Sequence, residues 1–517
     1  MTGREGSARP NVLLVMLDQM RWDAIAAHGN PVVRTPAMDE LCRRGTTFSR
    51  AYTPSPVCVP SRAALLTGLL PHRSGVVSNG TPLAEGTDTV AHALRRAGYA
   101  TAAIGKMHFT PVRADHGFDR MELSEEIPDR VEDDDYLQDL VAAGFGHVEE
   151  PHGVRHELYY TPQPSQLPEQ HHTTAWTGRR TVAYLEERAE RDEPFFCFTS
   201  FIKPHPPFDP PSPWHRMYDP LDMPDPVREP GELEALSFQQ RLQHRVKWMP
   251  PDADLLRLRT MRAYYYACVS FVDAWLGEIL ATLERTGLAE NTLVVLTSDH
   301  GEYLGDHWSF GKRGFHEVTA GIPLVVAGPG VRAGVESDAL VMLPDVTATL
   351  ADAAGAEPVE RPDGESLRPL LAGERATHHA WLPGQLGSGP TALYMATDTR
   401  WKYVHGAADQ REWLFDLSDP RETQDLSGDP AAKAELQRLR GLLVDRLRGD
   451  GYDEPFDGDG WRHHPEREGW PPLDDREAGG RGRQYAVWPA GRSHASELAA
   501  AYVPAEPPAS PGAYRGA

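Results

Sequence analysis

Apolar positions along the chain fall into two kinds of run. Short, nearly unbroken runs have the length and the β-branched or aromatic content of strands buried on both faces. They are "VLLVML" at 12–17, "YATAAIG" at 99–105, "FFCFTSF" at 195–201, "TLVVLTSD" at 292–299 and "IPLVVAG" at 322–328. Between them lie stretches with an apolar residue every three or four positions, the spacing of a helix with one buried face. These are "TPAMDELCRRG", stopped at Gly45; "TDTVAHALRRAG", with Thr87 or Asp88 near its cap and a stop at Gly98; "TAWTGRRTVAYLEERA"; the long "LRTMRAYYYACVSFVDAWLGEILATLERTG", stopped at Gly287; and "LPDVTATLADAAG". The alternation predicts an α/β fold, a large and mostly parallel sheet sandwiched by helices.

In such a sheet, ligands sit at the carboxyl ends of the strands. That rule brings Asp18, Lys106, His108, His205, Asp299 and His300 to one edge, because each closely follows a predicted strand. After residue 373 the pattern changes to short alternating runs, "ALYMATD", "RWKYVHG" and "EWLFDLS", then a helix in "DPAAKAELQRLRGLLVDRL". The expected organisation is a catalytic body over 10–374 and a small α+β subdomain with antiparallel strands and a closing helix over 375–450. A Gly/Pro-rich, partly disordered tail follows over 451–517, in which "DGWRHHPEREGW" carries enough aromatic residues to pack on the body.

Composition narrows the function. A formal charge of -23 over 517 residues argues against nucleic acid, whose phosphates need a basic face. The N-terminal apolar run is too short for a membrane span or a signal core, so the expected location is cytoplasmic with no membrane partner. The four cysteines are widely spaced and lack a CxxC pair, which argues against a disulfide framework or a cysteine-built structural zinc site. Cys42, Cys197 and Cys268 lie among apolar residues and read as small core residues. Cys58, in "SPVCVPSRAALLTG", does not.

Asp18, Asp299 and His300 converge as hard ligands at strand ends and suit a divalent cation, with Gln19 able to add an amide oxygen. Lys106, His108, His205 and Lys312 can surround an anion. Prolines 204, 206 and 207 stiffen the loop that carries His205, while Lys203 reads as bound to solvent or a backbone carbonyl. A metal, lysines and histidines together describe a site for a tetrahedral oxyanion, sulfate or phosphate.

With these residues in place, "CVPSRAALLTG" resembles the signature of the formylglycine-dependent sulfatases of the alkaline-phosphatase-like superfamily. "NVLLVMLDQMRWD", "GYATAAIGKMHF", "FIKPHPPF", "TSDHGEYLGDHWSFGK", "GIPLVVAGPG" and "DGESLRPLL" resemble further family segments in the family order, covering about residues 10–445. The resemblance implies that a separate maturation enzyme oxidises Cys58 to formylglycine, reading Pro60 and Arg62 in the extended chain, and that Arg62 later orients the product. It implies that Asp18, Asp299, His300 and the matured residue 58 hold one divalent ion, calcium or else manganese or magnesium. Lys106, His108 and Lys312 would then contact the sulfate oxygens, His205 would face the leaving group, and Asn79 would touch substrate. The substrate would be a small sulfate ester, and homo-oligomers occur in the family. The aldehyde hydrates; one hydroxyl attacks sulfur, and the second expels sulfate, which a serine could not do.

Two pairs depart from the commoner family pattern. Asp18-Gln19 stands for two adjacent carboxylates, and Asp299-His300 for Asp-Asn. Both resemble the pairs of phosphonate monoester and phosphodiester hydrolases, whereas "GKMH" and "CVPSR" keep the sulfatase residues. The leaving group is expected to be set by loops at 121–146 and 249–255. Trp176, Trp308, His316 and Trp461 read as packing rather than pocket residues.

Overall fold

The computed structural model describes residues 9–128, 130–155, 158–247, 249 and 253–464. Its strands in chain order are β1 (Asn11–Asp18), β2 (Thr46–Phe48), β3 (Ala51–Tyr52), β4 (Ala100–Gly105), β5 (Arg120–Leu123), β6 (Phe195–Pro204), β7 (Thr292–Ser298) and β8 (Leu324–Ala327). They continue as β9 (Val335–Ser337), β10 (Val341–Met342), β11 (Leu382–Leu386), β12 (Leu393–Thr397), β13 (Trp401–Gly406), β14 (Arg411–Asp416), β15 (Phe456–Asp457) and β16 (Gly460–Trp461).

Among the described residues, eight strands form one sheet in the order β5-β4-β6-β1-β7-β8-β2-β9. The centre is parallel: β1 pairs with β6 and β7, and β4 pairs with β6 and β5. The sheet departs from parallel at β8, which runs antiparallel to both β7 and β2. β1 shows why its run looked continuous. Leu13, Val15 and Leu17 pack on one face with the helix Leu255–Arg285, while Val12, Leu14 and Met16 pack on the other with Leu65, Leu66, Val346 and Leu350. Both faces are dry, so period-2 alternation sorts apolar residues between two cores rather than between core and water.

The helix Leu255–Arg285 is long and apolar enough to cross a membrane by length and composition, yet 67% of that window is buried inside the fold. It begins where Asp254 accepts the Arg257 N–H at 3.0 Å. Just beyond its end Gly287 adopts φ +74°, which favours glycine. The helix Val90–Arg96 is capped by Thr89, whose hydroxyl accepts from His92 N at 3.3 Å, and not by Thr87 or Asp88. Residues 121–146 are not one loop. They hold the end of β5 and the helix Asp135–Ala142, capped by Asp134. Residues 250–252 of the segment 249–255, and the tail from 465 on, lie outside the described residues.

β11 to β14 form an antiparallel four-stranded sheet, against which the helix Lys433–Gly449 buries Leu436, Leu439, Leu443 and Leu447. Trp461 stacks on His405 at 4.1 Å and on Tyr394 at 5.3 Å, so the start of the tail packs on this sheet. Trp176 and Trp308 also bond within the fold, to Asp139 and to the Glu229 carbonyl, and His316 bonds to Tyr303.

His405 carries a pH prediction. Burial pulls its pKa from 6.5 to about 3, with Arg440 acting in the same direction. The folded state therefore binds fewer protons than the unfolded chain between these values, and stability falls as pH drops below 6.5. His405→Phe removes that penalty. Relative to the parent, its stability should gain about 2 kcal/mol on going from about pH 8 to about pH 5, measured by denaturant unfolding at both.

Candidate active site

The parallel strands β4, β6, β1 and β7 are neighbours, so their carboxyl ends share one edge. Asp18 ends β1, Lys106 follows β4, His205 follows β6 and Asp299 follows β7. The helix Cys58–Thr67 points its N-terminus at this edge. It begins at Cys58 itself, and every residue in it is buried. A nucleophile in the first turn sits among unpaired backbone N–H groups, where negative charge is favoured. Gly68 closes the helix in the left-handed region at φ +69°.

Cys58 Sγ, the atom in the position of the expected nucleophile, lies 2.8 Å from Lys312 Nζ, 3.3 Å from His300 Nε2 and 3.9 Å from Asp18 Oδ1. Burial opposes ionisation of the thiol, but Lys312, Lys106, His300 and a hydrogen bond from His108 outweigh it and hold the pKa well below its ordinary value. Cys197 and Cys268 show the opposite: burial pushes both up to about 12. They are inert core thiols, and only Cys58 of these three lies in a cationic setting.

Arg62 lies one turn on from Cys58 and is 2% exposed. Its Nε donates to Asp299 Oδ2 and its Nη2 to Asp18 Oδ2, both at 3.0 Å; its Nη1 donates to the Lys106 carbonyl (2.7 Å) and Ser200 Oγ (2.9 Å). The guanidinium braces the carboxylates rather than touching Cys58. Asp18 and Asp299 nevertheless repel: burial and then Asp18 raise the Asp299 pKa. Ligand atoms of Asp18, Cys58, Asp299 and His300 all lie within 4.8 Å of one another. Two buried, mutually repelling carboxylates with an imidazole fit a divalent cation, and these are the side chains that would hold it. Gln19 sits at the same strand end, where its amide oxygen accepts from Lys312 at 3.0 Å and its amide nitrogen donates to Glu302.

The remaining expected residues are drawn together, with changed partners. Lys106 Nζ pairs with Asp18 (2.7 Å) and Glu126 (2.8 Å). His205 donates Nδ1–H to the Pro206 carbonyl at 2.7 Å, which leaves Nε2 facing the site, 3.4 Å from Glu126 Oε2. Burial pulls the His205 pKa down to about 3, against the opposing pull of Glu126. Asn79 lies beside the first turn of the Cys58 helix. Its Oδ1 accepts the Val59 N–H at 3.1 Å, an acceptor that the Val57 cap cannot supply. Lys203 is buried; it bonds the Pro207 carbonyl at 2.7 Å and pairs with Asp209, holding the His205 loop.

Three acidic residues escaped the sequence reading. Glu125 accepts from Met107 N (2.9 Å) and His108 N (2.8 Å), fixing a loop in which His108 has φ +60°. Glu126 bridges Lys106, His205 and Arg155, the last at 2.8 Å. Glu302 gathers Gln19, Tyr160 and the backbone of Leu304 and Gly311 beneath Lys312. Glu125 and Glu126 follow the carboxyl end of β5, so the strand-end rule would have found them had "RMEL" been read as a strand. We expect Glu125→Ala to lower kcat/KM about 10- to 100-fold by releasing His108, while Glu125→Gln, which keeps one acceptor, loses less; steady-state kinetics decide.

The sulfatase family profile matches residues 10–356. The chain belongs to the sulfatase family. A profile for the C-terminal part of N-sulphoglucosamine sulphohydrolases matches residues 305–448 of this sulfatase. It is 28% identical to an arylsulfatase of Clostridium perfringens over 86% of this chain and 96% of the relative. It is 31% identical to a choline-sulfatase of Rhizobium meliloti over 84% and 85%. The crystal structure of a phosphonate monoester hydrolase of Agrobacterium radiobacter superimposes with a TM-score of 0.74 at 28% identity, covering 86% of this chain and 96% of that one. The sulfatase is a sulfuric ester hydrolase with the alkaline-phosphatase-like fold.

Proposed function

We propose that this sulfatase hydrolyses the sulfate ester of a small alcohol or phenol, with formylglycine made from Cys58 as nucleophile and one divalent cation, calcium in the first instance, at Asp18, Asp299 and His300. The observation that carries the reading is the cradle around residue 58, at a helix N-terminus between Lys312 and His300. Formylglycine supplies a hydrated aldehyde, one hydroxyl of which attacks sulfur while the other later expels sulfate. The cation supplies charge that favours the deprotonated nucleophile and the non-bridging oxygens.

The chain's own residues do the rest. Lys312 and His108, already bonded to the residue-58 side chain, are placed to hold the sulfate oxygens as charge builds on them. Lys106 joins them by turning from Glu126 to the substrate. His205, its Nδ1–H tied to a carbonyl, aims Nε2 at the leaving oxygen; burial holds the imidazole neutral, so Nε2 first takes up a proton from solvent, favoured by Glu126 at 3.4 Å, and then passes it to the leaving group. Arg62 keeps the two carboxylates in register throughout.

A second reading, hydrolysis of a phosphonate monoester, draws on the Asp18-Gln19 and Asp299-His300 pairs and on the phosphonate hydrolase fold neighbour. The deciding experiment takes protein from its native host. It reads the mass of the tryptic peptide 51–62 and compares turnover of an aryl sulfate with that of an aryl phosphonate ester. A formylglycine mass with faster sulfate turnover is expected. Faster phosphonate turnover at matched concentration selects the second reading, and an unmodified cysteine with full activity removes the formylglycine mechanism.

A further inference from the structure

A second cluster of metal-ligating side chains lies apart from Cys58, at the start of the helix Leu343–Ala354. Asp345, in its first turn, is fully buried. Its Oδ2 accepts from Met342 N at 2.8 Å and its Oδ1 from Glu365 N at 2.9 Å, so backbone bonds fix the carboxylate in place. Two consecutive histidines, from the segment that leads into β11, close over it. His379 Nε2 lies 2.9 Å from Oδ1 and 3.0 Å from Oδ2, and His378 Nε2 lies 3.5 Å from Oδ1. One ligand atom from each of the three residues falls within 4.8 Å of the others.

The arrangement exceeds what a helix cap needs. One donor from His379 would already complete the Asp345 carboxylate, yet His378 is also folded in, with a side chain 1% exposed. Its Nε2 is buried and makes no well-formed hydrogen bond: Asp345 Oδ1 stands 3.5 Å away. A buried polar nitrogen left unpaired is costly, and here it is aimed at a carboxylate beside a second imidazole. Ligands about 2.0–2.1 Å from a tetrahedral ion stand about 3.3 Å apart, and the oxygen–nitrogen separations of 2.9 to 3.5 Å bracket that spacing.

We propose that Asp345, His378 and His379 form a second metal site, for Zn²⁺ or a similar borderline divalent ion. Two imidazoles and one carboxylate select such an ion over calcium, which takes six to eight oxygens. The site ties the body, through Asp345, to the segment on which the C-terminal sheet begins. Its role is structural, because it shares no ligand with the group formed by Asp18, Cys58, Asp299 and His300 among the described residues.

The test uses the full-length enzyme, stripped with a chelator and reloaded with Zn²⁺. Metal analysis should count two zinc ions per chain in the parent and one in His378→Gln/His379→Gln, which keeps donors to Asp345. Aryl sulfatase activity of the calcium-loaded double variant should match the parent. Equal zinc counts in the two proteins would overturn the proposal. Should the double variant fail to fold, anomalous diffraction at the zinc edge from parent crystals decides: a peak among the three side chains supports the site, and a peak confined to Asp18 and Asp299 refutes it.

Discussion

Cys58→Ala abolishes turnover of an aryl sulfate, by a factor of at least about 10⁴, while the protein still folds. The reasoning starts from the neighbours of the sulfur. Removing the side chain takes one partner from Lys312, which keeps Gln19 at 3.0 Å, and leaves the Arg62 bracing of Asp18 and Asp299 intact. Stability should therefore change by no more than about 1 kcal/mol. Cys58→Ser sharpens the test. A serine hydroxyl in the same cradle can attack sulfur once, but it has no second hydroxyl to expel sulfate. The expected result is a single turnover and a peptide 51–62 that stays heavier by one sulfuryl group. Continued turnover by the alanine variant would place the nucleophile elsewhere.

Much of this site was legible because one geometric rule applies to unlike residues. Asp18, Lys106, His205 and Asp299 are far apart in sequence, but each follows a run that could only be a buried strand, and parallel strands end on one edge. The same rule failed at β5. "RMEL" is half exposed and lacks the apolar density of its neighbours, so Glu125 and Glu126 were read as part of an acidic loop. Partners were harder to read than positions. Nothing in "VSNGTPL" says that Asn79 closes the first turn of the Cys58 helix, because that need arises only when Val57 turns out to be its cap. For Lys203 the backbone-carbonyl alternative held, in the Pro207 carbonyl, but its second partner, Asp209, comes from a turn of loop that no local pattern specifies. β8 had the composition of its parallel neighbours, and composition does not record strand direction.

Arg62 separates structure from chemistry in a second way. Arg62→Ala should cost about 3–5 kcal/mol of folding stability in the metal-free protein as well as activity, where Cys58→Ala costs activity alone. The guanidinium is buried between Asp18 and Asp299, and burial alone would disfavour its charge; those two carboxylates outweigh that and raise its pKa. Deleting it leaves two buried carboxylates facing each other, with only Lys106 paired to Asp18. Lys at this position keeps the charge but cannot fork to both acids while also donating to the Lys106 carbonyl and Ser200, so Arg62→Lys should recover only part of the loss. The same electrostatics predict a rescue. A divalent ion binding between Asp18 and Asp299 relieves their repulsion, so saturating calcium should raise the melting temperature of Arg62→Ala by more than it raises that of the parent. Thermal unfolding of both proteins with chelator and with calcium measures this directly. Equal shifts would mean that Arg62 does not share the carboxylates with the ion, and that its bonds to the Lys106 carbonyl and Ser200 are the ones that matter.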